Sequence, residues 1–264
     1  MPWQASYPTA EHRRAAEAIV EHFAAHGPVD AVLLTNSCAR GRATRDSCLD
    51  MAVLVHPKVP PARRLVVEQA WDAFHESSPV IRTLRGTGLY SVVHLDIVDG
   101  VFAPEERDEA AGPDGFELGI GNLLVYAQPL LQNGDYLEQL KRHWLPYYGD
   151  DLRRRRLDMV RHYCLNNLHH IPVYVARGLY FQSFDRLYNA YREFLQALFI
   201  TRRTYPIAYN KWIREQVDEI LGLPELYAQL PRLFEFSRFE SDEIAEKAGR
   251  VEELLETYVP AADT

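Results

Sequence analysis

Long apolar runs are missing from this 264-residue chain, and no stretch approaches the roughly 20 residues a helix needs to cross a bilayer. The opening Met-Pro-Trp-Gln-Ala-Ser lacks a charged-then-apolar leader, so the expected location is cytoplasmic, with no membrane partner. Cysteine is scarce. Cys38, Cys48 and Cys164 are odd in number and irregular in spacing, which gives neither a disulfide framework nor a zinc-finger pattern. A basic excess is absent too: 29 Lys and Arg stand against 37 Asp and Glu, a net charge of -8 that argues against a general nucleic-acid surface. There is no internal repeat and no low-complexity linker. What remains is ordinary folded composition, 47% hydrophobic and 25% charged, in a chain long enough for two modest domains.

The most informative stretch is residues 30–55, DAVLLTNSCARGRATRDSCLDMAVLV. It reads as a strand, a Ser-containing turn, a basic Gly-bearing connection and a second strand. Side chains alternate along a strand, so Leu49, Met51, Val53 and Val55 share one face while Cys48, Asp50, Ala52 and Leu54 share the other. A carboxylate inside such an apolar run is costly unless something pairs with it. Asp50 therefore either caps an open end, meets Arg40, Arg42 or Arg45, or binds a cation.

A second acidic strand residue favours the cation. In Tyr90 to Asp99, Val92, His94, Asp96 and Val98 project to one face and Val93, Leu95, Ile97 and Asp99 to the other. Asp99 precedes Gly100 and reads as a turn residue. Asp50 and Asp96 on facing positions of neighbouring strands would form an oxygen-rich site suited to Mg²⁺, which takes few protein carboxylates and fills its shell with water and phosphate oxygens.

The segment Asn36-Ser37-Cys38-Ala39-Arg40-Gly41, five residues, then Ser47-Cys48-Leu49-Asp50 resembles the signature of the polymerase-beta-type nucleotidyltransferase superfamily, usually Gly-Ser-x-Ala-Arg-Gly, five residues, Ser-Asp-hydrophobic-Asp. The two-part layout is similar to that of the kanamycin and streptomycin nucleotidyltransferases. The resemblance implies that Asn36 and Ser37 form the turn that holds the terminal phosphates and that Arg40 supports this turn or the triphosphate. It gives Asp50 the second metal-binding carboxylate and Asp96 the third, which helps activate the acceptor hydroxyl. Two departures stand out. Asn36 replaces a Gly at a position that favours positive φ, a region Asn tolerates better than most residues. Cys48 replaces the first carboxylate, and a thiol is a poor ligand for a hard ion. Asp46 has the facing parity to substitute, but lies a pleat repeat (~6.6 Å) farther off.

Strand and helix signals alternate through the first half. Residues 8–25 and 60–77 read as amphipathic helices, the second with Leu65, Val66, Ala70, Trp71 and Phe74 inward. Ala103 to Gly115 reads as an acidic surface loop, and Ile120 to Leu131 as a short strand or helix. Beyond about residue 150 helical periodicity takes over, with helices expected over 151–170, 172–182, 184–203, 209–221 and 237–257. The run Arg153 to Arg156 reads as a solvated helix face. His162, His169 and His170 read as structural or surface histidines. In kanamycin-type enzymes the helical domain supplies a Lys to the nucleotide and a Glu as general base, roles for which the resemblance offers Lys211 and Glu193.

The expectation is an α+β protein with a polymerase-beta-like nucleotidyltransferase domain (residues 1–148, a small mixed sheet with helices) and an all-α helical bundle (residues 149–264). The expected activity is Mg²⁺-dependent transfer of a nucleoside monophosphate from a nucleoside triphosphate to a hydroxyl of a small-molecule or macromolecular acceptor. The alternative is a pseudoenzyme that keeps the nucleotide site as a sensor or partner-binding module. The nucleobase, the acceptor and homodimer formation are left open by the sequence.

Overall fold

Thr9 starts the first helix: its hydroxyl accepts the His12 N–H, and α1 runs from Ala10 to Ala25 with Ala15, Ala16, Ile19 and Phe23 buried. The computed structural model describes residues 5–105 and 108–260. The chain divides into two units, one of Met1–Ala103 with Gly119–Leu145, the other of Pro104–Leu118 with Pro146–Thr264.

The first unit holds a four-stranded mixed sheet in the order β3-β2-β1-β4, with β1 Ala31–Leu34, β2 Leu49–Leu54, β3 Val93–Val98 and β4 Gln128–Gln132. β1 runs antiparallel to β2 and to β4, whereas β2 and β3 are parallel. The alternation read from the sequence sets the two faces. Val32, Leu34, Leu49, Met51, Val53, Val55 and Val93 join Ile19, Phe23, Val67, Trp71, Ile81 and Leu84 in one apolar core. α1, α3 (Pro61–Ser77) and α4 (Pro79–Arg85) supply the helical side of that core. The other face carries Asp50, Ala52, Leu54, His94, Asp96 and Val98. Its far end is closed by α6 (Tyr136–Trp144): Gly100, at φ +71, has no room for a Cβ, which would lie 2.5 Å from Leu140 Cδ1 and 3.2 Å from Leu54 Cδ1. Asp30 fixes the start of α6, its two carboxylate oxygens accepting the Tyr136 and Leu137 N–H groups at 3.2 and 3.0 Å.

α3 forms where expected but turns a different side inward. Leu65 and Val66 are 50% and 59% exposed, while Val67 and Trp71 are buried. The run Leu65-Val66-Val67 offers more than one helical phase. Trp71 and Phe74 select the one in which the residue four before Trp71 faces the sheet.

The second unit is helical, built on α7 (Asp150–Val175), α8 (Tyr180–Thr201) and α10 (Glu243–Tyr258), with α5 (Phe116–Ile120) beginning in its 104–118 segment and the short α9 at Pro224–Tyr227. Leu168, Ile171, Leu187, Phe194, Leu198, Val251 and Leu255 form its centre. The sequence breaks α7 at Pro172, but the helix passes through it, and the Ala176 N–H still reaches Pro172 O at 3.0 Å. Pro172 is exposed, so its ring meets solvent rather than a neighbour, and the break falls at Gly178, φ +70. The helix expected over 209–221 shrinks to a π turn at Glu215–Ile220, after Trp212 enters the left-handed region at φ +60. Among the described residues no helix is long and apolar enough to cross a membrane.

The phase of α3 is testable by urea denaturation. Val67→Ala should cost about 2 kcal/mol through the cavity it leaves, whereas Leu65→Ala, the larger truncation, should stay within about 0.5 kcal/mol.

Candidate nucleotide and metal site

The Ser-containing turn forms with Asn36 at φ +51, so Asn takes the left-handed position that a Gly would occupy. Residues 36–39 make a single helical turn, α2, and the Thr35 N–H donates to Asp50 O at 2.9 Å, which ties the turn to β2. Ser37 and Arg40 are both buried. From the α1 side, the buried His12 ring bonds Ser47 O through Nε2 at 2.9 Å, fixing the chain where β2 begins.

The parallel register sets the acidic face. Asp50 lies beside His94, and Asp96 lies beside Ala52. Asp50 and Asp96 therefore share a face of adjacent strands but stand diagonally, roughly 7–8 Å apart at the backbone. His94, not Asp96, is the direct neighbour of Asp50. Asp50 is half-buried, while His94 and Asp96 are exposed. A cavity of about 520 Å³ opens on this face, lined by Thr35, Asn36, Ala52, Asp96 and Asn122, with Arg64 at its edge. Arg64 donates to Ile97 O at 2.9 Å and to Asp99 Oδ2 at 3.4 Å, which holds its positive charge at the rim. Nothing in the sequence singles out Arg64, because an arginine on an amphipathic helix is an ordinary surface residue.

Cys48 completes the face. Its Sγ sits 3.3 Å from both Asp50 Oδ1 and Oδ2, a thiol donating to the carboxylate. Asp46 takes no part, since its Oδ1 accepts the Leu89 N–H at 2.9 Å across to the loop before β3. Arg45 Nε and Ser91 Oγ donate to the Thr87 and Arg45 carbonyls, at 2.7 Å each, and bind the same two loops together. Two carboxylates on one face, Asp96 with open space beside it for water and phosphate oxygens, suit one Mg²⁺ ion. The thiol beside them does not suit a second. Among the described residues no group of three or more His, Cys, Asp and Glu is already gathered to hold a metal.

Glu193 and Lys211 belong to the other unit. Glu193 is fully buried on α8 and accepts from Asn167 Nδ2 at 2.9 Å. Lys211 is exposed in the turn before Trp212. The arginine run is not uniformly solvated. Arg156 is 3% exposed and makes paired bonds to two buried carboxylates, to Asp114 at 2.6 and 2.6 Å and to Glu117 at 2.9 and 2.6 Å. Gln196 donates to both acids at 2.8 and 2.7 Å, and Tyr148 OH donates to Glu117 at 2.7 Å. Asp114 thus lies inside the unit, although its neighbours in the 103–115 segment read as surface loop. Its burial and the acidity of Glu117 beside it also push the Tyr148 hydroxyl well above the ordinary tyrosine range.

A crystal structure of a nucleotidyltransferase-like protein from Exiguobacterium sibiricum 255-15 is similar over 93% of this chain and 74% of that one, at 13% identity and a TM-score of 0.45. A likeness of that strength leaves activity to the residues themselves. No family model matches the chain, and no curated protein matches its sequence.

Two expectations follow. Burial, then the nearby Asp50 and Cys48, pushes the Cys38 thiol up to about 12, and burial likewise raises Cys164. Thiolate is the reactive form, so iodoacetamide at neutral pH should label half-buried Cys48 and leave Cys38 and Cys164 unmodified until the protein unfolds, as read by peptide mass spectrometry. Arg156→Met should destabilise by about 3–5 kcal/mol, because it strands two buried acids without a cation; thermal or urea denaturation checks this.

Proposed function

We propose that this chain is a nucleotidyltransferase-like protein whose first unit binds a nucleoside triphosphate and whose activity is transfer of the nucleoside monophosphate to a hydroxyl of a small-molecule or macromolecular acceptor. The observation that carries the reading is the shared face of β2 and β3, where Asp50 and Asp96 stand on adjacent parallel strands and Asp96 lines a cavity together with Asn36.

Each residue has a part in that reading. The Asn36-Ser37 turn receives the terminal phosphates, and buried Arg40 stiffens it from behind. Asp50 and Asp96 would hold a single Mg²⁺, which when bound screens phosphate charge and favours departure of pyrophosphate. The acceptor oxygen attacks the α-phosphorus, the bond to pyrophosphate breaks, and the hydroxyl proton passes to the exposed Asp96 carboxylate. Arg64 adds positive charge at the cavity edge for the departing phosphates. The roles of Glu193 as base and Lys211 as nucleotide contact rest on the sequence resemblance alone.

A second reading is favoured by one specific contact. The Cys48 thiol donates to both oxygens of Asp50 from the position where the signature has its first carboxylate. That substitution suits a protein that binds nucleotide as a sensor or partner-binding module without turnover.

Calorimetry with each nucleoside triphosphate separates the two. Mg²⁺-dependent binding weakened at least ~10-fold by Asp50→Asn supports transfer, at about 1.4 kcal/mol per tenfold. Binding of equal strength without metal supports the sensor, and absence of binding to every nucleotide removes both. Cys48→Asp sharpens the choice: pyrophosphate release gained by this variant and lacking in the natural protein assigns the natural chain to the sensor reading.

A further inference from the structure

We propose that the cavity between α10 and the Pro231–Phe234 turn of the second unit binds a small organic anion, a carboxylate or phosphate head on a short hydrocarbon body. None of its lining residues belongs to the proposed nucleotide site, so it stands apart from the transfer reaction.

The cavity measures about 530 Å³, ample for a small molecule. Its floor is apolar and fixed. Leu233 and Leu254 line it, and both are anchored in the core of the helical unit, at 4% and 7% exposure. Arg232 stands on one wall, with Lys247 and Arg250 on the other. Long basic side chains lay their hydrocarbon stems along apolar surface and keep their charged heads in water. The three stems therefore extend the leucine floor, and the three heads ring the opening.

Local structure explains why they converge. Lys247, Arg250 and Leu254 follow the spacing i, i+3, i+7, one stripe of α10. Arg232 and Leu233 are adjacent on a 3-10 turn. Lys247 Nζ donates to Arg232 O at 2.7 Å, which ties the two walls together. One of three ammonium hydrogens is used there, and two remain for a ligand. Arg250 pairs with Glu253 one turn on. The Arg232 guanidinium is exposed and has no partner among the described residues.

The charge balance points to an anion. Lys247 and Arg250 are like charges three apart on a helix, about 5–6 Å between Cβ atoms, which destabilises the helix unless something offsets it. Arg232 adds a third cation across the cavity. Only one acid, Glu246, shares the lining, although the chain as a whole carries a net charge of -8. The guanidinium fork suits both oxygens of a carboxylate or phosphate head, and the ammonium adds a point charge. The leucine floor rewards a hydrocarbon body that an inorganic ion lacks.

Calorimetry on the full-length protein at low ionic strength, with octanoate and octyl phosphate as probes, tests the site. At least one of them should bind at one site per chain, and the tighter of the two identifies the head group. Inorganic phosphate and 1-octanol, the head and the tail alone, should each bind at least ~10-fold more weakly, at about 1.4 kcal/mol per tenfold. Arg232→Glu and Lys247→Gln should each weaken the probe at least ~10-fold with helical circular dichroism unchanged, and added salt should weaken it in the natural protein. Binding of neither probe, several equal sites per chain, affinity unchanged in both variants, or inorganic phosphate bound as tightly as octyl phosphate overturns the proposal. Neither variant touches the proposed nucleotide site, so nucleotide calorimetry remains an independent measurement.

Discussion

The parallel pairing of β2 with β3 is the constraint on which the candidate site depends. Its register places Asp50 beside His94 and Ala52 beside Asp96. A shift of one residue would flip every side chain of one strand and send one of the two acids into the apolar core. That core holds the register in place. Leu49, Met51 and Val53 on β2 and Val93 on β3 are buried on the helix-covered face, with Leu95 and Ile97 packed against them. Burial of hydrocarbon thus fixes the position of the charges. The loops reinforce the same alignment: Asp46, Arg45 and Ser91 bind the entrance of β2 to the entrance of β3.

Within that frame, Cys48 decides what the acids can do. A carboxylate in its place would stand next to Asp50 as a like charge and would need a cation to offset the repulsion. A thiol instead donates a hydrogen bond and leaves Asp50 satisfied without metal. The face is then stable when empty, which loosens the link between folding and metal binding. One residue type at position 48 therefore separates a face that needs a cation from one that does not.

Much of this was legible in the sequence. Period-two alternation in residues 49–55 and 92–99 sorts the core face from the polar face correctly, because a two-faced strand leaves no other arrangement for its apolar residues. The left-handed turn at Asn36 was legible for a similar reason, since few residues tolerate that conformation. The cross-strand register was not, because pattern sets which face a residue occupies but not which residue stands beside it; the direct partner of Asp50 proved to be His94. The phase of α3 was hidden by three consecutive apolar residues that fit more than one stripe. Arg156 was missed because its partners lie far away in sequence, Asp114 in a segment whose polar composition marks it as loop and Glu117 on the short α5 just after it. Pro172 misled because a proline whose ring faces solvent can be carried by a helix anchored on both sides of it.

The most direct test of the account is a crystal structure of the protein with a non-hydrolysable nucleoside triphosphate and Mn²⁺, whose anomalous scattering marks the metal. The account predicts triphosphate density over the Asn36-Ser37 turn and a single anomalous peak between the Asp50 and Asp96 carboxylates. Nucleotide bound elsewhere on the molecule, or an ordered triphosphate at this turn with the metal away from both acids, would contradict it.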